Sequence, residues 1–262
     1  MASPAFQFGI RLDVVGGRGY HPRPAAAVVA GSPASAGATM ETTLHRQLKA
    51  LYAGPKAKCE VWVDGYRIDA VKRGRLIEIQ QSSLAALRSK VRTLLQSHSV
   101  LIVKPLFARK LIIRRDPKTH QILSQRTSPQ HQTVWDLFLE LVHFVDVFPH
   151  PRLTLEVLLT EIEEQRCDRP SRRWKGKAYR IIDRQLTEVG VRNVFRSAAD
   201  LRKLLPGDLP TEFTSNELAA AAGLPSWWAQ KVTYCLRKTG AVETVGKRRH
   251  SWLYRYAVRR AA

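Results

Sequence analysis

Two short runs of alternating apolar and polar residues flank a glycine turn, and they restrict the fold of this chain more than any other segment. The runs are Tyr66–Val71 and Leu76–Gln80. A period of two residues predicts half-buried β-strands. The Lys-Arg-Gly-Arg sequence at residues 72–75 suits a two-residue hairpin turn, with Gly74 supplying a positive φ. We therefore predict an antiparallel hairpin here.

The hairpin determines which side chains lie side by side. With the turn centred on residues 73–74, the register places Asp69 opposite Glu78 and Arg67 opposite Gln80. The other face of the hairpin is apolar on both strands and is expected to pack on the core: Ile68, Ala70, Ile77 and Ile79.

Two directly opposed carboxylates are an unusual pair. Their β-carbons would lie about 4.5–5.5 Å apart, so the side chains repel unless a positive group lies between them. A divalent cation is one such group, and carboxylate oxygens completed by water and substrate phosphate suit Mg²⁺. The alternative is an exposed acidic pair with Arg67 or Lys72 as counter-ions. The hairpin by itself favours neither interpretation.

The elements around the hairpin extend the pattern. A helix is predicted over Met40–Tyr52 from its apolar spacing, with Glu41 in its first turn, and a short strand over Glu60–Val63. After the hairpin, Ser82–Leu95 reads as an amphipathic helix and Val100–Val103 as a buried strand. The predicted order is helix, three strands, helix, strand.

With this order and these acids, residues 40–106 resemble the PD-(D/E)XK nuclease superfamily. The resemblance implies an α/β (α+β) restriction-endonuclease-like core, α-β-β-β-α-β. It also implies Mg²⁺-dependent (or Mn²⁺-dependent) phosphodiester cleavage by an activated water. Glu41 would match the helix acid that supports the metal, Asp69 and Glu78 the two metal-binding acids, and Gln80 the position of the usual lysine.

Gln80 departs from the family pattern. A lysine would help to position or deprotonate the attacking water, whereas a neutral amide can only orient it. Lys90 or Lys104 are alternative sources of the positive charge. Asp64 competes with Asp69 for the aspartate role, but it belongs to an Asp-Gly turn, where aspartate commonly bonds backbone amides.

The charge of the chain indicates the class of partner. Lysine and arginine number 43 against 22 acidic residues, a formal net charge of +21. The excess is net +9 over residues 39–110 and net +6 over residues 211–262, with a neutral segment at residues 111–150. This distribution favours nucleic acid. A membrane-spanning protein is not expected, because no run approaches the ~20 apolar residues that a span needs.

The C-terminal segment carries a second recognisable pattern. Capping boxes at Ser197 and Thr214 begin two helices, and a longer helix is predicted from Ser226 to about Thr239. Two strands joined by a basic tip follow. This order is similar to a winged helix-turn-helix domain over about residues 195–258, which implies DNA contact through the long helix and the wing. The residues expected to contact DNA are Trp227, Gln230, Lys231, Tyr234, Lys238, Lys247, Arg248 and Arg249. A protein-docking role for this domain is the alternative.

The remaining segments complete the predicted organisation. Residues 1–38 are expected to be disordered, 39–123 to form the nuclease-like domain, 124–195 a connecting helix and hairpin, and 196–262 the winged helix. Val134–Val147 reads as one periodic helix and 124–132 as a polar linker. A long hairpin is expected to join 153–166 with 179–189. Its acids Glu161, Glu163 and Glu164 read as a solvated charged edge rather than a second metal site.

Two functions from different classes fit these features. The first is a Mg²⁺-dependent DNA endonuclease or DNA-processing enzyme that a winged helix places on DNA. The second is a DNA-binding regulator that keeps the nuclease fold as an inert scaffold. RNA as the target and a homodimer stay open. Three widely spaced cysteines predict free thiols, which suits the cytoplasm.

Overall fold

The computed structural model describes residues 41–168 and 179–257. The predicted N-terminal segment, residues 1–38, lies outside the described residues, as does the tip of the predicted long hairpin at residues 169–178.

The described residues form helices and strands in the following order. The helices are α1 (Thr43–Ala53), α2 (Arg88–Leu94), α3 (Leu137–Leu141), α4 (Ala198–Arg202), α5 (Ser215–Ala222) and α6 (Ser226–Lys238). The strands before residue 130 are β1 (Lys58–Val63), β2 (Tyr66–Lys72), β3 (Arg75–Ile79), β4 (Ser99–Arg115) and β5 (Ile122–Thr127). The later strands are β6 (Leu153–Asp168), β7 (Tyr179–Phe195), β8 (Glu212–Phe213), β9 (Val242–Arg248) and β10 (Ser251–Tyr256).

A large mixed sheet organises the first part of the chain. Its strand order is β1-β2-β3-β4-β6-β7, and β5 pairs with the distal half of β4. The β3–β4 and β4–β6 pairs are parallel, and the other pairs are antiparallel. The parallel β3–β4 pair needs a crossover, which a 3₁₀ turn at Leu84–Leu87 and α2 provide. The fold is mixed α+β, which is the general class that the sequence predicted.

The hairpin register is confirmed. Lys72 pairs with Arg75 and Ala70 with Ile77. The turn residues Arg73 and Gly74 both have positive φ, 50° and 75°, which is the type I′ geometry that matches strand twist. The prediction assigned positive φ to glycine alone.

The prediction that four apolar side chains share one face of the hairpin is wrong for Ile68. Ala70, Ile77 and Ile79 pack with α1, whereas Ile68 is buried in the core on the α2 side of the sheet. The strand alternation is interrupted at Asp69, because its carboxylate accepts the N–H of Ile79, 2.7 Å away, where a backbone ladder bond would lie. Side chains on the two sides of this residue therefore bury in different cores.

The sheet is covered on both faces. One core lies between the sheet and α1, around residues such as Leu44 and Leu48. The other lies under α2 and α3 and continues without a break into the C-terminal helices, reaching Val232 and Leu236 of α6. The sheet and the C-terminal helices therefore share one continuous apolar core.

Three predictions for the middle of the chain need correction. The predicted helix Val134–Val147 is a 3₁₀ turn at Val134–Asp136, the short α3 and further turns, and side chains of α6 donate to the carbonyls of Trp135 and Phe138. The predicted linker 124–132 begins inside β5. The predicted connecting region contains β6, which is paired on both sides within the sheet.

The prediction of a solvated edge is wrong for Glu164, whereas Glu161 and Glu163 are partly exposed. Glu164 is only 1% exposed, and its carboxylate binds Arg166 and Arg184, with Lys110 3.7 Å away. The interior position of β6 explains the difference, since β7 rather than β6 forms the border of the sheet. Glu164 therefore belongs to a buried group of ion pairs.

The C-terminal unit, defined as residues 196–257, contains α4–α6 and the small sheet β8-β10-β9. Both predicted capping boxes are present, at Ser197 with Asp200 and at Thr214 with Glu217. The helix predicted from Ser226 ends at Lys238, close to its expected end. Across the described part of the chain, no helix is long and apolar enough to cross a membrane.

Candidate functional site

A cleft of about 450 Å³ opens beside the β2–β3 hairpin, at the start of α1. Its lining combines acids, bases and amides from four parts of the chain. These residues are Glu41, Thr42, His45, Glu60, Arg67, Asp69, Ile79, Gln80, Gln81 and Ser82. Three of the four predicted catalytic residues, namely Glu41, Asp69 and Gln80, are among them. The cleft is therefore a polar surface built around the predicted acids.

Asp69 is the central acid of the cleft. One carboxylate oxygen accepts the Ile79 N–H at 2.7 Å, and the other lies 3.1 Å from Nε2 of His45. Burial alone would raise the pKa of Asp69, but these hydrogen bonds outweigh it and hold the pKa below its ordinary value. Asp69 is thus fixed in place and ionised at neutral pH.

Glu78 lies behind the cleft, beside Asp69. It is 5% exposed, and its Oε1 accepts a hydrogen bond from Nζ of Lys90, 2.7 Å away. Burial raises the pKa of Glu78 above its ordinary value, with Asp69 contributing in the same direction and Lys90 opposing. The backbone of Asp69 also bonds the Glu78 carboxylate. The two acids are therefore linked, and their pKa values shift in opposite directions.

The predicted arrangement of this pair is partly wrong. The ladder between β2 and β3 ends at Ala70 and Ile77, next to Asp69 and Glu78, and the two acids do not share a sheet face. Asp69 turns toward α1 and bonds His45, whereas Glu78 turns toward α2 and bonds Lys90. The interruption of β2 at Asp69 is the reason, because strand alternation no longer keeps the two side chains on one side.

Lys90 and Lys104 are the two lysines that could supply the positive charge missing at Gln80, and they lie in different places. Its Nζ contacts Glu78 and also the backbone oxygen of Arg67, 2.5 Å away. Lys104, the other alternative, is buried elsewhere: its Nζ bonds the carbonyl oxygens of Gln81 and Ser82. Of the two lysines, only Lys90 contacts a predicted catalytic acid.

Gln80 lines the cleft but is tied to the following loop. Its side-chain amide donates to the carbonyl of Ser83 at 2.7 Å, and its backbone N–H donates to Val103 at 2.8 Å. Asp64, the rival for the aspartate role, lies in its predicted turn and contacts Nε2 of His98 at 2.9 Å. Asp64 does not line the cleft.

Two polar side chains of α1, His45 and Lys49, connect Glu41 to the site, although Glu41 itself precedes the helix and does not lie in its first turn as predicted. His45 lies 3.5 Å from Glu41 and 3.1 Å from Asp69, and Lys49 donates to Glu41 at 2.7 Å and also binds Glu60. Burial would lower the pKa of His45, but the bond and charge of Asp69, together with Glu41, raise it. Glu41 thus supports the site through His45.

The sequence reasoning missed His45, Lys49 and Glu60. A signal was present for two of them, since Glu41, His45 and Lys49 recur every four residues and so share one helix face. Glu60 carried no comparable signal, because its place beside the cleft depends on a positive φ of 56° in β1.

The described ranges contain few side chains that could bind a metal ion together. Within them, no three or more histidine, cysteine, aspartate or glutamate side chains are grouped so that they could hold a metal ion. Any cation at Asp69 and Glu78 would therefore take most of its ligands from water and substrate.

The predicted DNA-contacting residues of α6 form one solvent-facing stripe. Trp227, Gln230, Lys231, Tyr234 and Lys238 are all exposed. The opposite face, which includes Val232 and Leu236, is buried in the core. The stripe contains no acidic side chain.

The wing residues differ in their contacts. Lys247 and Arg249 are exposed, and Nζ of Lys247 lies 4.6 Å from the ring centre of Trp252. Arg248 is also exposed but binds Glu217 of α5 at 2.6 Å. Part of the predicted basic tip is thus already paired within the protein.

Comparisons with known proteins give a family and a relative. The family model described as a domain of unknown function (DUF8091) matches residues 42–196, which is more than half of the chain and ends just before α4. An uncharacterized protein of Treponema pallidum (strain Nichols) is 31% identical over 217 residues, covering 82% of this chain and 85% of the relative. That alignment is longer than the family match. No solved structure matches the chain significantly.

Proposed function

The chain belongs to the DUF8091 family, and from the geometry of its own cleft we propose that it is a metal-dependent DNA nuclease or DNA-processing enzyme. The observation that carries the proposal is the linked pair Asp69 and Glu78, whose environments shift their pKa values in opposite directions. Such opposed shifts are typical of carboxylates that divide roles in catalysis. The order helix, three strands, helix, strand around them supports the PD-(D/E)XK resemblance.

A hard cation such as Mg²⁺ or Mn²⁺ would be held in the cleft by Asp69, and Glu78, which turns to the other face of the sheet, would join it only after leaving Lys90. Asp69 and Glu78 offer carboxylate oxygens, and Mg²⁺ usually keeps several waters beside one or two carboxylates and substrate phosphates. A bound divalent cation supplies polarisation of a phosphate oxygen and activation of a water. Glu41 supports Asp69 indirectly, since His45 lies between them.

Lys90 is the residue that we assign to the role of the missing lysine. Its ammonium group is placed at Glu78 from α2 rather than from β3. A fixed positive charge at this point would offset the negative charge that develops on the phosphate in the transition state. Gln80, held by Ser83, would orient a water or a phosphate oxygen at the rim of the cleft.

The C-terminal unit would hold the enzyme on DNA. The helix order, the exposed stripe of α6 and the basic tip of the β9–β10 hairpin support a winged helix-turn-helix assignment. The net +6 of residues 211–262 and the net +9 of residues 39–110 would give two contacts with the phosphate backbone. The free thiols Cys59, Cys167 and Cys235 favour the cytoplasm.

A second function is supported by two observations. Glu78 is buried and does not line the cleft, and Gln80 stands where the family has lysine. Both features fit a DNA-binding regulator in which the nuclease fold is an inert scaffold. The two functions differ in one measurable property, which is metal-dependent cleavage.

Plasmid nicking tests the proposal. Supercoiled plasmid is incubated with the wild type, Asp69→Asn, Glu78→Gln and the matched control Asp64→Asn, in Mg²⁺, in Mn²⁺ and in EDTA. We expect nicking by the wild type and the control in either metal, and loss of nicking in the two site variants with DNA binding retained. If the wild type binds DNA but cuts no supercoiled, linear, single-stranded or branched substrate, the enzyme proposal fails and the regulator is supported.

A further inference from the structure

We propose that the C-terminal unit binds DNA through unpaired bases that stack on two exposed indole rings, Trp227 and Trp252. The preferred substrates would then be forks, flaps and single-stranded ends rather than continuous duplex. This inference rests on the proposed function and names its substrate class.

Trp227 is a rigid platform rather than a mobile surface side chain. It is 53% exposed and lies at the second position of α6. Its ring stacks on Trp228 with centroids 5.7 Å apart and planes 20° from parallel. Trp228 in turn donates its Nε1–H to the carbonyl of Trp135. The exposed ring is therefore held in place by a neighbour that is anchored to the 3₁₀ turn at Val134–Asp136.

Trp252 forms a second platform on the wing. It is also 53% exposed, and in the β9–β10 ladder it pairs with Lys247. Nζ of Lys247 lies 4.6 Å from the centre of the Trp252 ring. The ring thus has an ammonium group beside it and leaves about half of its surface in water.

Both platforms combine an aromatic ring with a nearby cation. Nζ of Lys231 lies 5.4 Å from the centre of the Trp227 ring, just as Nζ of Lys247 lies near the Trp252 ring. Grooves for single strands use the same combination, because bases stack on the ring and the cation attracts the phosphate. The net +6 of this part of the chain favours a polyanion over a neutral partner.

The chemistry of indole argues against duplex reading at these positions. In a duplex the faces of the bases are stacked on one another, and only their edges are accessible in the grooves. Indole has one donor and no acceptor, so it cannot make the paired hydrogen bonds that distinguish base pairs. Trp227 lies near the N-terminus of α6, where a groove-reading helix places its base contacts. A ring at this position suits the face of a base.

A third exposed indole lies on the strand next to the cleft. Trp62 is 40% exposed and pairs across the β1–β2 ladder with Arg67, which lines the cleft. A strand with unstacked bases would therefore meet similar chemistry at the C-terminal unit and near the acids.

Fluorescence anisotropy with the full chain in EDTA tests the inference. Three labelled ligands of equal length are compared: a duplex, a fork with unpaired arms, and a single strand. Base stacking on an aromatic side chain contributes about 1–3 kcal/mol per base, so Trp252→Ala and Trp227→Ala should each weaken fork binding by about 5- to 150-fold. Duplex binding should change by less than about twofold, and Trp252→Phe should retain most of the preference because it keeps a ring.

Controls separate this inference from the proposed catalysis. Leu51→Ala removes an exposed apolar side chain on α1 and should leave fork binding unchanged. Equal wild-type affinity for fork and duplex, or equal weakening of all ligands in both alanine variants, would overturn the inference. Preferential binding of the matching RNA would overturn the assignment to DNA. Fork preference without plasmid nicking would refute only catalysis, and nicking without fork preference would refute only this inference.

Discussion

Replacing Lys90 with methionine tests the ion pair on which the proposed site depends. The substitution keeps an aliphatic side chain of similar length in α2 but removes the ammonium group from Glu78. Glu78 is 5% exposed, so it would be left as a buried carboxylate without its cation. Breaking a buried pair on one side commonly costs about 3–5 kcal/mol.

Protonation of Glu78 limits the cost. An ordinary glutamate pKa of 4.5 makes protonation at pH 7 cost about 3 kcal/mol, at about 1.4 kcal/mol per pH unit. Lys90→Met should therefore lower the free energy of unfolding by about 2–3 kcal/mol at pH 7.

The sign of the pH dependence follows from the same argument. The pKa of Glu78 is already raised in the folded protein, and loss of Lys90 raises it further. The folded state then holds a proton that the unfolded state releases, so the variant loses stability as pH rises above about 4.5 until it passes the folded pKa. The penalty should fall below about 1 kcal/mol near pH 5.

Urea denaturation of the wild type and Lys90→Met across this pH range provides the measurement. Glu78→Gln combined with Lys90→Met is the matched control, because it removes the unpaired charge and should abolish the pH dependence. Lys90→Met should also abolish plasmid nicking. An equal loss of stability at pH 5 and pH 8 would refute the reasoning.

Three further substitutions test other parts of the structure. Arg73→Asn should raise the free energy of unfolding by about 0.5–1 kcal/mol in urea titrations, because Arg73 has a φ of 50° and asparagine tolerates that conformation better. Lys104→Met should lower it by about 1–3 kcal/mol, since Lys104 is 3% exposed and its loss leaves the carbonyl oxygen of Ser82 without its donor. Asp200→Asn should lower it by about 1 kcal/mol at neutral pH, because the carboxylate completes the capping box with Ser197. The pKa of Asp200 is lowered to about 2, since hydrogen bonds from Lys203 and the α4 cap outweigh the effect of burial. Its contribution is therefore present above about pH 4 and lost as pH falls toward 2, so wild type and Asp200→Asn should converge in acid; a constant difference would contradict this.

The parts of the fold that local sequence determines were predictable. The hairpin register follows from a two-residue turn and strand alternation, and the capping boxes of α4 and α5 are local hydrogen-bonding patterns. The long α6 was recognisable for the same reason, since its apolar face repeats with helical spacing and Gly240 follows its end.

Features that depend on tertiary packing were not predictable from the sequence. The short α3 reads as part of a longer helix, because the apolar spacing of Val134–Val147 does not reveal that its first residues form a 3₁₀ turn packed against α6. Glu164 reads as exposed until β6 is placed in the interior of the sheet. The sequence could not decide between Lys90 and Lys104 as the source of the positive charge near Gln80, because helical spacing does not reveal which residue of the sheet a helix side chain contacts.

Lys90 and Lys104, the two lysines that could supply the positive charge missing at Gln80, both bind groups at or just after β3. Lys90 reaches Glu78 from α2, and Lys104 reaches the carbonyls of Gln81 and Ser82 from β4. The end of β3 and the loop after it, which carry the Ile79 N–H that fixes Asp69, are thus held between the buried ammonium group of Lys104 and the half-buried one of Lys90. A site held in this way needs little rearrangement when an anionic substrate arrives. Part of the net +9 of this region therefore serves to position the acids, and the exposed remainder is available for the proposed contact with DNA.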